Sequence, residues 1–255
     1  KSQVTDFSAM LAGGGDILNI PKVKQENAAE LGAGAAVAYT AQTDTNIPLA
    51  VDQHWLSAKR IDDVVKVQES TDLFNMYAQS MGYALAKKVE NYLAVLIQTA
   101  AANDVTLAAD DTFTTALLRD GLEKFLDAGH DYADGGSNLY CSPKSYMSLL
   151  SLGDFSDAQV RGDSENPNVK GTVMQAYGLN VYASTDWAEG GTADTASIFK
   201  KEAVYFAQQI SPRVQSSYDI NYLATRVVAD VMFGAALSHA TNSTAAAIVN
   251  FKNPS

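Results

Sequence analysis

Cysteine is nearly absent from this 255-residue chain: Cys141 stands alone. A single thiol forms no intramolecular disulfide, so packing must hold the fold together, and the chain fits a reducing cytoplasm. Leu139, Tyr140 and Met147 flank Cys141, an apolar setting that predicts a buried structural thiol. Histidine is also scarce. His54, His130 and His239 are far apart and share no metal-ligand spacing, which argues against a zinc site. Bases are few: 18 Lys and Arg stand against 29 Asp and Glu, a net charge of −11. That balance lacks the basic patch of a sequence-specific nucleic-acid binder and is repelled by an anionic membrane surface. If the protein encloses nucleic acid, it walls it in rather than grips it.

Other signatures are missing too. No apolar run approaches the roughly 18 residues of a membrane-spanning helix, and no signal peptide is visible. The chain starts at Lys1 and not at Met, so the expectation is that something upstream was removed or is missing. Gly13-Gly14-Gly15 is followed by Asp16, where a phosphate-binding loop would need a Gly-Lys-Ser/Thr ending. No Gly-x-Ser-x-Gly elbow occurs. The pairs Asp62-Asp63 and Asp110-Asp111 read as a strand-to-helix approach and a helix start. Arg161-Gly162-Asp163 spells an adhesion tripeptide and Asn242-Ser243-Thr244 a glycosylation sequon, each without an export signal. There is no repeat and no coiled-coil heptad.

What is present is enough for one large domain or two small ones. Hydrophobic residues make up 47%, with twelve Tyr, nine Phe and two Trp, sufficient for a sizeable core. Residues 1–16 read as an arm ending in a glycine hinge. Residues 17–67 form a long polar excursion. Ile17 to Ile20 predicts a short strand stopped by Pro21. Glu30 to Ala38 is almost all Gly and Ala, and Ile47, Leu49 and Val51 alternate as a strand that Pro48 confines to an edge. Two strands with a loose tip are marginal alone, so the hairpin is expected to lie on a neighbouring subunit.

One long helix follows, at about 71–102. Ser70 and Thr71 are plausible caps, and Leu73, Tyr77, Met81, Leu85, Val89, Tyr92, Leu96 and Ile97 make a stripe of period 3.6. A second helix is predicted from Thr112 to Ala128, closed by Gly129. Asn138 to Cys141 predicts a strand, and Ser142-Pro143 opens a helix over Lys144 to Leu150. Residues 153–170 are polar loop. Strands are expected at Leu179 to Ala183, Tyr218 to Leu237 and within Thr241 to Phe251, a strand pair or one long strand at Ser197 to Gln209, and a small-residue loop at Ala188 to Thr195. The class is mixed α+β. Arg213 and Arg226 lie in strand-like surroundings, where they either pair acids across subunits or are ordinary surface residues.

Several segments resemble, in order, the tailed-phage (Caudoviricetes) major capsid proteins with the Hong Kong 97-type fold. Gly15-Asp16-Ile17-Leu18-Asn19-Ile20-Pro21 resembles the entry to their extended loop. Ile47 to Trp55, then Arg60-Ile61-Asp62-Asp63-Val64, resembles its return strand and exit. Tyr83 to Glu90 is similar to the middle of the spine helix. Gly171-Thr172-Val173 with Tyr177 to Ser184 resembles a strand pair, and Val214 to Gly234 a closing strand. The matches span about residues 13–250.

The resemblance implies an N-terminal arm (1–16), an extended loop hairpin (17–67), a peripheral domain with its long spine helix (68–104), an axial domain (105–212) and peripheral return strands (213–255). It implies a non-enzymatic structural subunit that forms hexamers and pentamers of itself and an icosahedral shell around double-stranded DNA, in a virion assembled in the host cytoplasm. Portal, scaffolding and decoration proteins are the implied partners, with few specific DNA contacts, no membrane and no cofactor. The candidate intersubunit contacts are Lys22, Lys24, Trp55, Lys59, Arg60, Asp62, Asp63, Arg213 and Arg226. Some relatives weld their shells through a lysine near the loop tip. Here no lysine lies between Lys24 and Lys59, so a non-crosslinked shell is expected. An encapsulin-like compartment is the nearest competing expectation. A soluble enzyme or binding domain would need a convergent polar cluster, which the sequence does not show.

Overall fold

In the computed structural model, the described residues are 3–11, 14–22, 28, 30, 36, 37, 39, 45–64, 73–100, 103–107, 113–133, 135–152, 175–187, 194–239 and 243–252. Lys24, most of the expected hairpin tip, the Ser70-Thr71 cap, Asp110-Asp111, loop 153–170 with Arg161-Gly162-Asp163, Gly171 to Val173 and Asn242 lie outside them.

The helix with the apolar stripe is α1 (Leu73–Gln98), about 39 Å long at 1.5 Å per residue. Met81, Leu85, Leu93, Ala94 and Ile97 are buried, whereas Tyr77, expected on the buried stripe, is partly exposed. The buried face lies on a four-stranded sheet in the order β1 (Thr5–Asp6), β10 (Val204–Asp219), β11 (Ala224–Leu237), β4 (Gln53–Asp62). On β11 the pattern is legible: Val227, Ala229, Val231 and Phe233 alternate into the core, as strand periodicity requires. Phe233 is fully buried and meets Tyr92 of α1 edge-on, with ring centroids 5.4 Å apart.

A six-stranded sheet follows in space, in the order β5 (Val105–Thr106), β12 (Ile248–Lys252), β9 (Asp194–Lys200), β6 (Ser137–Cys141), β8 (Leu179–Ala183), β7 (Gln175–Ala176). The helix α2 (Thr115–Asp127) packs on it. Thr114 caps α2 by accepting from the Leu117 N–H. Gly121 is needed there because a Cβ would meet the Phe251 ring at 2.5 Å. The helix α3 (Pro143–Leu150) starts at Ser142, whose hydroxyl accepts from the Ser145 N–H. Cys141 is buried, as expected, and burial pushes its thiol up to about 12, which disfavours the reactive thiolate. A buried amide ties this sheet to α1. Asn250 donates to the Ile97 carbonyl at 3.2 Å, and its own oxygen accepts from Ser197 at 2.7 Å. It thus satisfies orphan carbonyls at the helix end.

Four sequence expectations change. Pro21 does not stop its strand: β2 (Ile17–Lys22) continues past it and pairs antiparallel with β3 (Thr45–Ala50). Asp16 accepts from Val51 at 2.9 Å, so Leu18↔Leu49 and Ile20↔Ile47 fall on hydrogen-bonded pairs. The pairs Asn19↔Pro48 and Pro21↔Asn46 then fall between them, where proline loses no ladder bond. Gln53 to Asp62, expected on the extended loop, is a strand of the four-stranded sheet. Of the strand pair or long strand expected over Ser197 to Gln209 the structure has the pair, β9 and the start of β10, parted by a 3-10 turn at Lys201–Ala203; the small-residue loop expected through Thr195 ends sooner, because Asp194 already belongs to β9. Finally, Val214 to Gly234 is not one strand but most of a hairpin, turning at residues 220–223.

Candidate functional site

Two hairpins of very different build stand out from the core, and the described residues among those expected at intersubunit contacts gather on them or on the strand beside them. The first is β2–β3. It crosses the four-stranded sheet where β11 has glycine: a Cβ on Gly234 would lie 1.9 Å from the Ala50 carbonyl oxygen. Only glycine allows that approach. Leu49 and Val51 bury against Leu11 and Ala207, with Leu18, Ile20 and Met232 partly covered around them. Gln209 donates to the Gly15 carbonyl at 3.0 Å, and the Lys22 amine donates to the Ser238 carbonyl at 2.9 Å. Burial lowers the pKa of Lys22. The base of this hairpin therefore rests on its own chain, a correction to the expectation that a neighbouring subunit is its support.

The second is β10–β11 with β4 beside it. Its open face carries Arg60, Asp62, Arg213 and Arg226, whereas Trp55 and Lys59 take register positions on the face turned to α1. Arg213 Nε donates to Asp230 at 2.8 Å and Nη2 at 3.0 Å, while His54 Nε2 lies 3.3 Å from the same carboxylate. The Arg213 guanidinium holds the Asp230 carboxyl below its ordinary value, against the opposing effect of burial, with His54 adding to the lowering. One acid thus braces three strands. Arg226 pairs with Asp219, Arg60 pairs with Asp62 at 3.1 Å, and both guanidinium groups lie over the Tyr222 ring, at 5.6 Å and 5.1 Å. Asp63 accepts from the Tyr218 hydroxyl at 2.7 Å. Trp55 donates to Gln53 at 3.3 Å and lies under the Lys88 amine, 4.2 Å from the ring centre. Lys59 is exposed in the register position opposite Val227.

Arg213 and Arg226 therefore both have acid partners within the chain. Arg60, Asp62, Asp63, Arg213 and Arg226 are brought onto one sheet, Trp55 is tied to α1, and Lys22 belongs to the other hairpin. The residues that sequence reasoning missed are apolar. Ile220, Tyr222 and Leu223 in the turn are 75%, 58% and 62% exposed, and Leu223 takes a positive φ of 46°, rare for a leucine. Leu56 and Val64 are exposed as well. The available signal was a turn built of large apolar residues where polar ones are usual. Exposed apolar surface of this kind marks a protein contact.

A family model described as phage capsid protein matches residues 58–249. The chain belongs to the phage capsid protein family. Comparison with curated proteins found no match. Solved structures match along the whole capsid protein. One, of Mycobacterium phage Che8, is 21% identical with a TM-score of 0.79, over 98% of this chain and 89% of that one. The capsid of cyanophage P-SCSP1u is 16% identical with a TM-score of 0.75, over 99% and 86%. The capsid of the native GTA particle is 12% identical with a TM-score of 0.72, over 100% and 89%. At these identities the likeness is one of fold: the Hong Kong 97-type, in its mixed α+β class. The capsid protein is a shell protein that associates with itself, as its family does.

Proposed function

We propose that this is the major capsid subunit of a tailed phage, assembling through hexamers and pentamers into an icosahedral shell that encloses double-stranded DNA. The observation that carries this reading is the family match joined to a fold that leaves two hairpins projecting from one core, with exposed apolar side chains on the second. Many modest contacts repeated over a shell sum to a stable particle. In this reading residues 1–16 are the arm, 17–67 the extended loop together with its return strand β4, which is built into the four-stranded sheet, 68–104 the spine region, 105–212 the axial domain and 213–255 the return of the peripheral domain. The base of β2–β3 stays on its own subunit and the part beyond it reaches over a neighbour. Lys22, Lys24, Trp55, Lys59, Arg60, Asp62, Asp63, Arg213 and Arg226 lie at or near subunit borders, with the in-chain ion pairs of Arg60, Arg213 and Arg226 fixing the geometry of the face. Scaffolding, portal and decoration proteins are the further partners, and assembly takes place in the host cytoplasm. The net charge of −11 favours a wall that leaves DNA free to move.

Negative-stain electron microscopy of the purified protein, with a scaffold co-expressed if needed, tests this. Closed shells or ring-shaped capsomers are expected. Monomers alone, across several salt concentrations, would contradict it.

A further inference from the structure

A groove runs along α1 on the side turned to the six-stranded sheet. Its deeper part is a cavity of about 400 Å³, within the size range of ligand sites. Leu93, Ala94 and Ile97 of α1 and Phe199 and Phe206 of the two sheets form the apolar lining, and Gln3 and Glu90 bring polar groups to it. A shallower cleft of about 310 Å³ shares Ala86 and Glu90 with it and extends to Tyr83, Ser184 and Asp186. Between Tyr83 and Ile97 the groove follows about 21 Å of helix.

Its chemistry is one-sided. The apolar end is lined by side chains that are nearly all buried. Among the described residues, the polar end carries the carboxylates of Glu90 and Asp186 against the amine of Lys87. Ser184 Oγ lies 3.5 Å from Glu90 Oε1, which leaves the carboxylate most of its accepting capacity. Burial and the neighbouring Tyr182 and Glu90 push the Tyr140 phenol up to about 12, so at neutral pH it stays a neutral donor beside the groove.

We propose that this groove docks a basic amphipathic helix of a partner protein. Leucine-like side chains spaced three and four residues apart enter the apolar end, and a Lys or Arg meets Glu90 and Asp186. The length matches about 14 helical residues, and docking through such spaced anchors is an established mode of recognition. The acidic rim selects the sign of the partner, and the chain's net charge of −11 points the same way. This goes beyond the shell reading and does not depend on it, because binding is measured on the subunit whether or not shells form.

The test uses two fluorescein-labelled 14-residue peptides with leucines at positions 1, 4, 5, 8 and 11. One carries three lysines on its polar face and the other three glutamates. Fluorescence anisotropy is read on the full-length protein. Saturable binding of the lysine peptide is expected, at least tenfold tighter than the glutamate peptide. Ala86→Trp fills the groove from an exposed position and should weaken the lysine peptide at least tenfold. Glu90→Lys should invert the preference between the peptides. Circular dichroism and the thermal unfolding midpoint of both variants should stay those of the parent. Equal affinity for the two peptides, or lysine-peptide binding unchanged by Ala86→Trp, overturns the proposal.

Discussion

The two projecting hairpins are built on opposite principles. β10–β11 pairs over most of its 16- and 14-residue strands, is covered on one face by α1, and is braced on the other by Arg213, Asp230 and His54. β2–β3 pairs over six residues per strand, carries a proline in each strand, and among the described residues meets the core at its base, through Leu18, Ile20, Leu49, Val51, Lys22 and the glycine crossing at Ala50. A two-stranded ribbon is marginal in water, whereas a hairpin that joins a sheet under a helix shares the cooperativity of the core. The first is therefore part of the subunit's own stability. The second rests on its own chain at its base, and in the proposed shell a neighbouring subunit would add the rest of its support.

Substitutions should separate the two. Phe233→Ala empties a fully buried site between Tyr92 and Phe206 and should cost about 3–5 kcal/mol of global stability, read as a lower urea midpoint. Leu49→Ala should cost about 2–5 kcal/mol at the hairpin base, but seen as faster proteolysis of residues 17–50 and a smaller shift of the global midpoint. A shift as large as that of Phe233→Ala would erase the distinction. Gly234→Ala places a methyl group on the Ala50 carbonyl and should cost about 1–3 kcal/mol, again with the hairpin loosening before the sheet.

Acid should act on the two regions in different windows. His239 lies next to Ser238, the residue that anchors Lys22, and burial lowers its pKa from 6.5, with Lys22 and His130 adding to the effect. A base whose folded pKa is depressed binds its proton less readily when folded, so its contribution is full above 6.5 and is lost as pH falls through the folded value. Asp230 is also depressed, from 3.8, chiefly by its hydrogen bond from Arg213. Its contribution is present above 3.8 and is lost only as pH falls further. Protease sensitivity of the first hairpin should thus rise as pH falls below 6.5, with β10–β11 unaffected until below 3.8, and His239→Gln should flatten the upper transition. The smallest expected effect is none: denaturing gels of purified particles should show single chains, because no lysine lies between Lys24 and Lys59. A ladder of covalent oligomers would refute the non-crosslinked shell.

Much of the fold was legible where local chemistry is strong. The stripe from Met81 to Ile97 marks α1, and Ser142-Pro143 announces α3. Leu179 to Ala183 reads as the strand it is. The β10–β11 hairpin was not legible, for two physical reasons. Bulges between Gln208 and Arg213 break the alternation, and beyond them β10 is exposed on both sides, so its pattern carries no burial signal. Its turn, Ile220-Asn221-Tyr222-Leu223, has neither glycine nor proline; instead Asp219 accepts from the Asn221 N–H at 3.0 Å. Pro21 misled in the other direction, because whether proline ends a strand depends on its register with the partner strand. Of the candidate contacts, the charged residues were visible as charges. The apolar turn beside them became a surface only once two distant strands were paired.

Amide hydrogen exchange, compared between unassembled capsomers and closed shells, tests the central contrast most directly. The account predicts that residues 17–22 and 45–50 gain protection on assembly, while residues 224–233, already sheltered under α1, exchange alike in both states. Shells in which β2–β3 exchanges as it does in free capsomers would contradict it.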